Sequence, residues 1–293
     1  MDKKIDSVQA VYDLVSAGGY VTEDEITTAL YLAIRLGRPL LVEGFAGVGK
    51  TEIAKVLAAA LDTELIRLQC YEGLDAASAL YEWNYAKQIL RVRLEEGKSA
   101  DVDSLEAQIF SEEYLLERPL LKALRNEKRP VLLIDEIDRA DEEFEAFLLE
   151  TLAEFQVTIP ELGTIRAKQP PLVVLTSNRV RELGEALRRR CIYLWIDYPS
   201  LEKELAIVKQ HLPEIEARLA NQICRFVAKL RATDLDKRPG VAETLDWAEA
   251  LVALHIENID EETVRRTIGC LAKTRRDTST LLPQLATFLG DDE

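Results

Sequence analysis

Gly44-Phe45-Ala46-Gly47-Val48-Gly49-Lys50-Thr51 decides how the rest of this 293-residue chain is read. Its spacing is G-x-x-x-x-G-K-T. Glycines at these places let backbone N–H groups turn inward and approach phosphate oxygens without a Cβ in the way. A helix starting near Lys50 points the positive end of its dipole at the same oxygens. Lys50 is then placed to neutralise the β and γ oxygens of a nucleotide, and the Thr51 hydroxyl to bind Mg2+. Gly44, Ala46, Gly47, Val48, Gly49 and Glu52 complete the candidate nucleotide-binding set. A glycine-rich turn can match this pattern by chance. Here Pro39-Leu40-Leu41-Val42-Glu43 reads as a strand before it and EIAKVLAAALD as a helix after it, which is the context the mechanism requires.

Further along, Val131-Leu132-Leu133-Ile134-Asp135-Glu136 is an apolar strand ending in two acids. In open α/β sheets, ligands bind at the carboxyl ends of the strands. Asp135 would hold Mg2+ there through water, and Glu136 would polarise an attacking water as a general base. An acidic strand end that merely caps the next helix is the plain alternative, and the phosphate loop upstream weighs against it. Asn178 closes a third apolar strand, LVVLTSN (172–178). An amide beside those acids can orient the water and contact the γ-phosphate. Arg188-Arg189-Arg190 lies between a helix and the strand CIYLWID (191–197). One reading is a solvated basic helix end facing its own carbonyls. The preferred reading sends one arginine, Arg190 before Arg189, to the γ-phosphate of a neighbouring subunit. An arginine supplied in trans is worth roughly 10³–10⁵ in rate.

The first clear helix follows Gly19, where Thr22 and Glu25 form a T-x-x-E capping box and ALYLAIRL runs to Gly37. ELIRLQCY (64–71) reads as a second strand. Residues 72–129 are charged and mostly helical, with breaks at Gly73, Gly97 and Pro119. Residues 141–154 are helical, with Phe144, Phe147, Leu148 and Leu152 on one face. FQVTIPELGTIRA (155–167) has β-branched runs on both sides of Pro160 and Gly163 and reads as a hairpin. After Tyr198-Pro199 the pattern holds helices and no strand. The strands are continuous rather than alternating runs, so they predict a parallel sheet covered on both faces. The expected division is an α/β unit, 1–198, and an all-helical unit, 199–293.

Composition bounds the rest. Lys plus Arg is 37 against 52 Asp plus Glu, a net charge of −15. That balance argues against phosphate-backbone binding as the main task, because a nucleic-acid protein needs a basic face. The four cysteines form no CxxC pair and read as free thiols. Two histidines leave little for a His-rich metal site. MDKKIDSVQAVYDLV has no apolar run of signal-peptide type, and no stretch is long and apolar enough to span a membrane. A cytoplasmic protein is expected.

These residue sets, in this order, resemble the AAA+ superfamily, and most closely its MoxR branch. ALYLAIRLGRPLLVEGFAGVGKTEIAK, IRLQCYEGLDAASALYEWNYAKQIL, VLLIDEIDRADEEFEAFLLETLAEFQVTIPELGTIRA, VVLTSNRVRELGEALRRRCIYLWIDYP and PGVAETLDWAEAL carry that narrower likeness. They look most like the accessory ATPases of carbon monoxide dehydrogenase maturation systems. The resemblance implies a P-loop core with a five-stranded, mainly parallel sheet between helices, followed by a helical lid. It also implies an insertion near 72–95 and a hairpin at 155–167, both facing the pore of a ring. It further implies a homo-hexamer binding ATP and Mg2+ and remodelling or maturing a client protein, with a von Willebrand factor A domain protein as partner. The family often starts a lid helix with a sensor arginine. The corresponding stretch is Lys237-Arg238-Pro239-Gly240-Val241-Ala242-Glu243, where Arg238 is the candidate and an exposed loop arginine is the alternative. Tyr81, Trp83 and Tyr85 either grip a client or, the preferred reading, pack the insertion down. Two other functions remain open at this level: a nucleic-acid motor or loader of the same class, and a P-loop small-molecule phosphotransferase.

Overall fold

The computed structural model describes residues 5–95 and 102–290, so Gly97 lies outside it. A helix precedes the first one expected. In α1 (Val8–Ala17), Ser7 caps the start and its Oγ accepts from the Ala10 N–H at 3.1 Å. In α2 (Asp24–Leu36) the T-x-x-E box does not form. Glu23 takes the cap position, and the Thr22 hydroxyl, one residue outside it, donates to the Glu23 carbonyl. Gly37 ends this helix in the left-handed region at φ 63°, as a C-terminal glycine does.

β1 (Leu40–Gly44) enters the glycine-rich loop and α3 (Lys50–Ala60) leaves it. β2 (Leu65–Gln69) stops short of Tyr71. Residues 72–129 are less purely helical than expected. α4 (Ala76–Leu80), α5 (Tyr85–Glu95), α6 (Val102–Ile109) and α7 (Pro119–Arg125) share the segment with an antiparallel ribbon of β3 (Tyr81–Trp83) and β4 (Leu115–Glu117). Three-residue strands carry too short an alternation to be read from sequence. Trp83 is buried there, edge-on to Phe110 at 5.3 Å, and Tyr81 is half-buried, so both pack the segment down. Tyr85 is exposed.

β5 (Val131–Asp135), α8 (Glu142–Glu154), the hairpin β6 (Gln156–Ile159) and β7 (Gly163–Arg166), β8 (Leu172–Ser177), α9 (Glu185–Arg190) and β9 (Ile192–Ile196) follow as the patterns predict. Beyond Ile196 the described residues hold helices and no strand: α10 (Leu201–His211), α11 (Ala217–Arg231), α12 (Val241–Ala253), α13 (Glu261–Thr267), α14 (Arg275–Leu281) and α15 (Leu285–Leu289).

The main sheet has the order β2-β5-β8-β1-β9, and every pair is parallel. The three inner strands are buried at every residue, whereas the edge strand β2 alternates, because only the inner ones are covered on all sides. Strand alternation divides the core. Leu41, Leu132, Ile134, Val173 and Leu175 face α7 and α8, while Leu40, Val42, Leu133 and Val174 face α1, α2 and α3. Burying each such side chain stabilises the fold by about 1.5–3 kcal/mol. A third core, around Trp247, Phe226 and Leu281, lies wholly within the C-terminal helices.

A buried ion pair ties those helices together. The two terminal guanidinium nitrogens of Arg231 donate to the Glu204 carboxylate, at 2.7 and 2.6 Å, and the Thr244 hydroxyl donates to the same carboxylate at 2.7 Å. The Arg231 guanidinium also lies 4.9 Å from the ring centre of Tyr198. Tyr198 stacks on Phe45 of the phosphate loop, with ring centres 4.6 Å apart. Arg231 of α11 therefore reaches that loop through Tyr198.

Candidate functional site

The carboxyl ends of β1, β5 and β8 open onto a cavity of about 620 Å3, within the range of ligand sites. Its charged residues include Lys50, Asp135 and Glu136. Its apolar ones include Val21, Ile207, Val241 and Leu245, from α1–α2, α10 and α12.

Gly47 and Gly49 hold φ values of 74° and 89°, a region that favours glycine, and this turns the loop around the start of α3. Lys50 is buried, and its Nζ donates to the Gly44 and Phe45 carbonyls at 2.9 and 2.5 Å. Burial pushes its ammonium down to about 8, against the pull of Asp138, Asp135 and Glu136. A buried cation resting only on neutral carbonyls is suited to an incoming phosphate. The Thr51 hydroxyl reaches Asp135 Oδ1 at 3.1 Å. A hydroxyl and a carboxylate in contact make a hard-oxygen pair of the kind Mg2+ takes, so the residues present fit Mg2+ and a nucleotide triphosphate.

Glu136 sits in the left-handed region at φ 55°, which costs roughly 1–3 kcal/mol for a residue with a Cβ. Its N–H donates to the Thr176 hydroxyl at 2.9 Å. The turn aims its carboxylate at Asn178, whose Nδ2 donates to Oε1 at 3.1 Å. Gln69 and Arg139 donate to Oε2, at 3.2 and 2.6 Å. Asn178 is itself fixed by Asp138, which accepts the N–H groups of Asn178 and Val180 on one oxygen, at 3.1 and 2.8 Å. Chemically, this arrangement can bind phosphates, hold a divalent cation and present a carboxylate to a water.

Ala46, Gly47, Val48, Gly49, Lys50, Thr51, Glu52, Asp135, Glu136 and Asn178 all line this one cavity. Four expected residues do not. Gly44 is buried, and a Cβ there would collide with the Ile196 carbonyl of β9, so strand packing demands the glycine. Arg238 lines a separate cleft with Phe45, Tyr198 and Lys273. Arg189 and Arg190 end α9 on the surface. Arg67, Asp138 and Thr176 were not singled out from the sequence. The third acid of Asp135-Glu136-Ile137-Asp138 and the polar end of LVVLTSN were the signals for two of them.

α12 meets the phosphate loop backbone to backbone. The Ala242 N–H donates to the Gly47 carbonyl at 3.1 Å. A Cβ on Gly240 would lie 2.7 Å from the Ala46 carbonyl oxygen and 2.9 Å from Gly47 Cα. Gly240→Ala must push the helix off the loop. The expected result is a loss of about 1–3 kcal/mol of stability, as for other overpacked sites, together with weaker nucleotide binding. Thermal melts and titration with a fluorescent ATP analogue check it; unchanged binding would show that the seam does not shape the site.

The chain matches the family model described as "ATPase family associated with various cellular activities (AAA)" over residues 40–197. That is more than half its length, and the chain belongs to this AAA family of ATPases. It is 24% identical to an uncharacterized protein of Staphylococcus haemolyticus, over 84% of this chain and 90% of the relative. It is 23% identical to an uncharacterized protein of Staphylococcus aureus, over 78% of this chain and 84% of the relative. Among solved structures it is similar to the RuvB Holliday junction branch migration motor of Thermotoga maritima, with a TM-score of 0.48 and 19% identity, over 94% of this chain and 75% of that one. Among the described residues no helix is long and apolar enough to cross a membrane.

Proposed function

We propose that this chain is a Mg2+-dependent ATPase of the MoxR branch. It assembles into a ring and couples ATP binding and hydrolysis to the remodelling or maturation of a client protein complex. The family resemblance supports a hexamer in the cytoplasm, a von Willebrand factor A domain partner and a metalloenzyme as client, in the manner of carbon monoxide dehydrogenase accessory ATPases. On the same reading, residues 1–198 are the ATPase core and 199–293 its lid. The insertion near 72–95 and the hairpin at 155–167 face the pore.

One observation carries the ATPase assignment: Lys50, Thr51, Asp135, Glu136 and Asn178 converge on a single cavity, while Arg189 and Arg190 stay outside it. Lys50 leaves the loop carbonyls for the β and γ oxygens. Thr51 and Asp135 hold Mg2+, which would neutralise charge building up on the phosphates. Glu136 takes a proton from the attacking water, and Asn178 orients that water. Arg190 of a neighbouring subunit completes the site. The lid acts on the phosphate loop through the α12 backbone, and Arg238 stands in the neighbouring cleft beside Phe45 and Tyr198.

The test is ATP hydrolysis per subunit against protein concentration, with molecular mass measured in parallel. Activity should rise steeply and level off as a ring-sized species forms. A flat profile from a monomer would sink the ring reading and point to a phosphoryl acceptor instead.

A further inference from the structure

The Asp135 carboxylate has no lone pair to spare. Oδ1 accepts the hydroxyls of Thr51 and Thr176, at 3.1 and 2.5 Å. Oδ2 accepts Nε and Nη2 of Arg67, at 3.0 and 2.6 Å. An ionised carboxylate offers about four acceptor sites, so these four donors fill them. Asp135 is 3% exposed, yet 54% of the Arg67 side chain faces solvent. Arg67 comes from the edge strand β2, two residues before Gln69, the register partner of Asp135.

We infer that Arg67 is the resident counter-ion of Asp135 when no divalent cation is bound, that it gives way when one arrives, and that it thereby sets the cation affinity of the site. The inference rests on Asp135 being the cation-holding carboxylate. A buried carboxylate is expensive to keep ionised without a partner, and a two-pronged guanidinium meets that need. The same prongs fill two of the carboxylate's four acceptor sites, so a hydrated cation meets an Asp135 with none free. A long, half-exposed side chain can leave with little loss of packing. Its Nη2 already has a second acceptor in Gln69 Oε1, so the guanidinium keeps a bond as it departs. It lines the same cavity as Lys50 and Thr51.

Mn2+ binding to the full chain in the presence of ADP, followed by electron paramagnetic resonance, tests this for wild type, Arg67→Gln, Arg139→Gln and Asp135→Asn. Arg67→Gln should tighten Mn2+ binding at least about tenfold, the worth of charge-assisted hydrogen bonds no longer in competition. Arg139→Gln removes an equal charge from Glu136 instead and should change affinity less than about threefold, as exposed pairs do. Arg67→Lys, which keeps the charge but loses the fork, should fall between wild type and Arg67→Gln and serves if the glutamine variant does not fold. Equal affinities for wild type and Arg67→Gln, or equal tightening by Arg67→Gln and Arg139→Gln, overturn the counter-ion role while Asp135 keeps its own. If Asp135→Asn binds Mn2+ as wild type does, the reading of Asp135 itself falls, and the role of Arg67 with it.

Discussion

Glu136→Gln is expected to lower kcat for ATP hydrolysis at least about 100-fold, the usual share of a general base, while ATP still binds. The substitution keeps the size of the side chain and removes its charge and its ability to take a proton. Asn178 can still donate to the remaining carbonyl oxygen of the new amide. Gln69 and Arg139, which donate to Oε2, would then face an NH2 group or force the amide to flip. Lys50, Thr51 and Asp135 are untouched, so phosphate and cation binding persist. Equilibrium binding of a fluorescent ATP analogue and steady-state turnover, measured on the same preparation, separate the two. Turnover within tenfold of wild type would remove Glu136 from the role of base.

The residues that line the cavity were legible because each set is local in sequence. A strand, a glycine loop and a helix start bring Lys50 and Thr51 together within one turn. Apolar runs ending in Asp135-Glu136 and in Asn178 say that those side chains emerge at strand ends. The continuous inner strands likewise announced a parallel sheet. Strand order was not legible, and what depends on it was missed. Arg67 meets Asp135 only because β2 lies beside β5, and Thr176 does so only because β8 lies on the other side. Gly44 was read as a phosphate glycine, whereas the approach of β9 explains it.

The helices beyond Ile196 teach the same point in reverse. The sequence offers Arg238 either as a sensor of the nucleotide or as an exposed loop arginine. What the structure adds is a contact from α12 to the phosphate loop itself, made by an N–H and a carbonyl brought together because Gly240 and Gly47 lack side chains. Such a seam leaves no charged residue to recognise. Opening α12 away from the loop would break the Ala242–Gly47 hydrogen bond, and phosphates that order the loop would favour keeping it. That links the C-terminal helices to the phosphate loop without any need for an arginine.

Arg190→Ala is expected to leave nucleotide binding intact and to lower turnover in the assembled ring by roughly 10³-fold or more, the scale of an arginine acting in trans. The support is where α9 ends. Arg38 donates to the carbonyls of both Arg189 and Arg190, fixing that end against the first residues leading into β1. Arg189 pairs with Glu185 along its own helix, and Arg190 Nη1 donates to the Leu149 carbonyl at 2.5 Å. Both arginines are exposed, and neither lines the cavity of its own chain. Losing the Leu149 bond could loosen α8, so melting temperature and ring mass must be followed alongside turnover. Mixing gives the sharper readout. An Arg190→Ala subunit keeps an intact catalytic carboxylate, and a Glu136→Gln subunit keeps an intact arginine. If the arginine acts across the interface, a ring built from both inactive variants regains activity wherever a Glu136→Gln subunit offers Arg190 to the pocket of an Arg190→Ala neighbour. If the mixed rings form and stay silent, Arg190 does not act across the interface, and Arg189 becomes the residue to exchange in the same experiment.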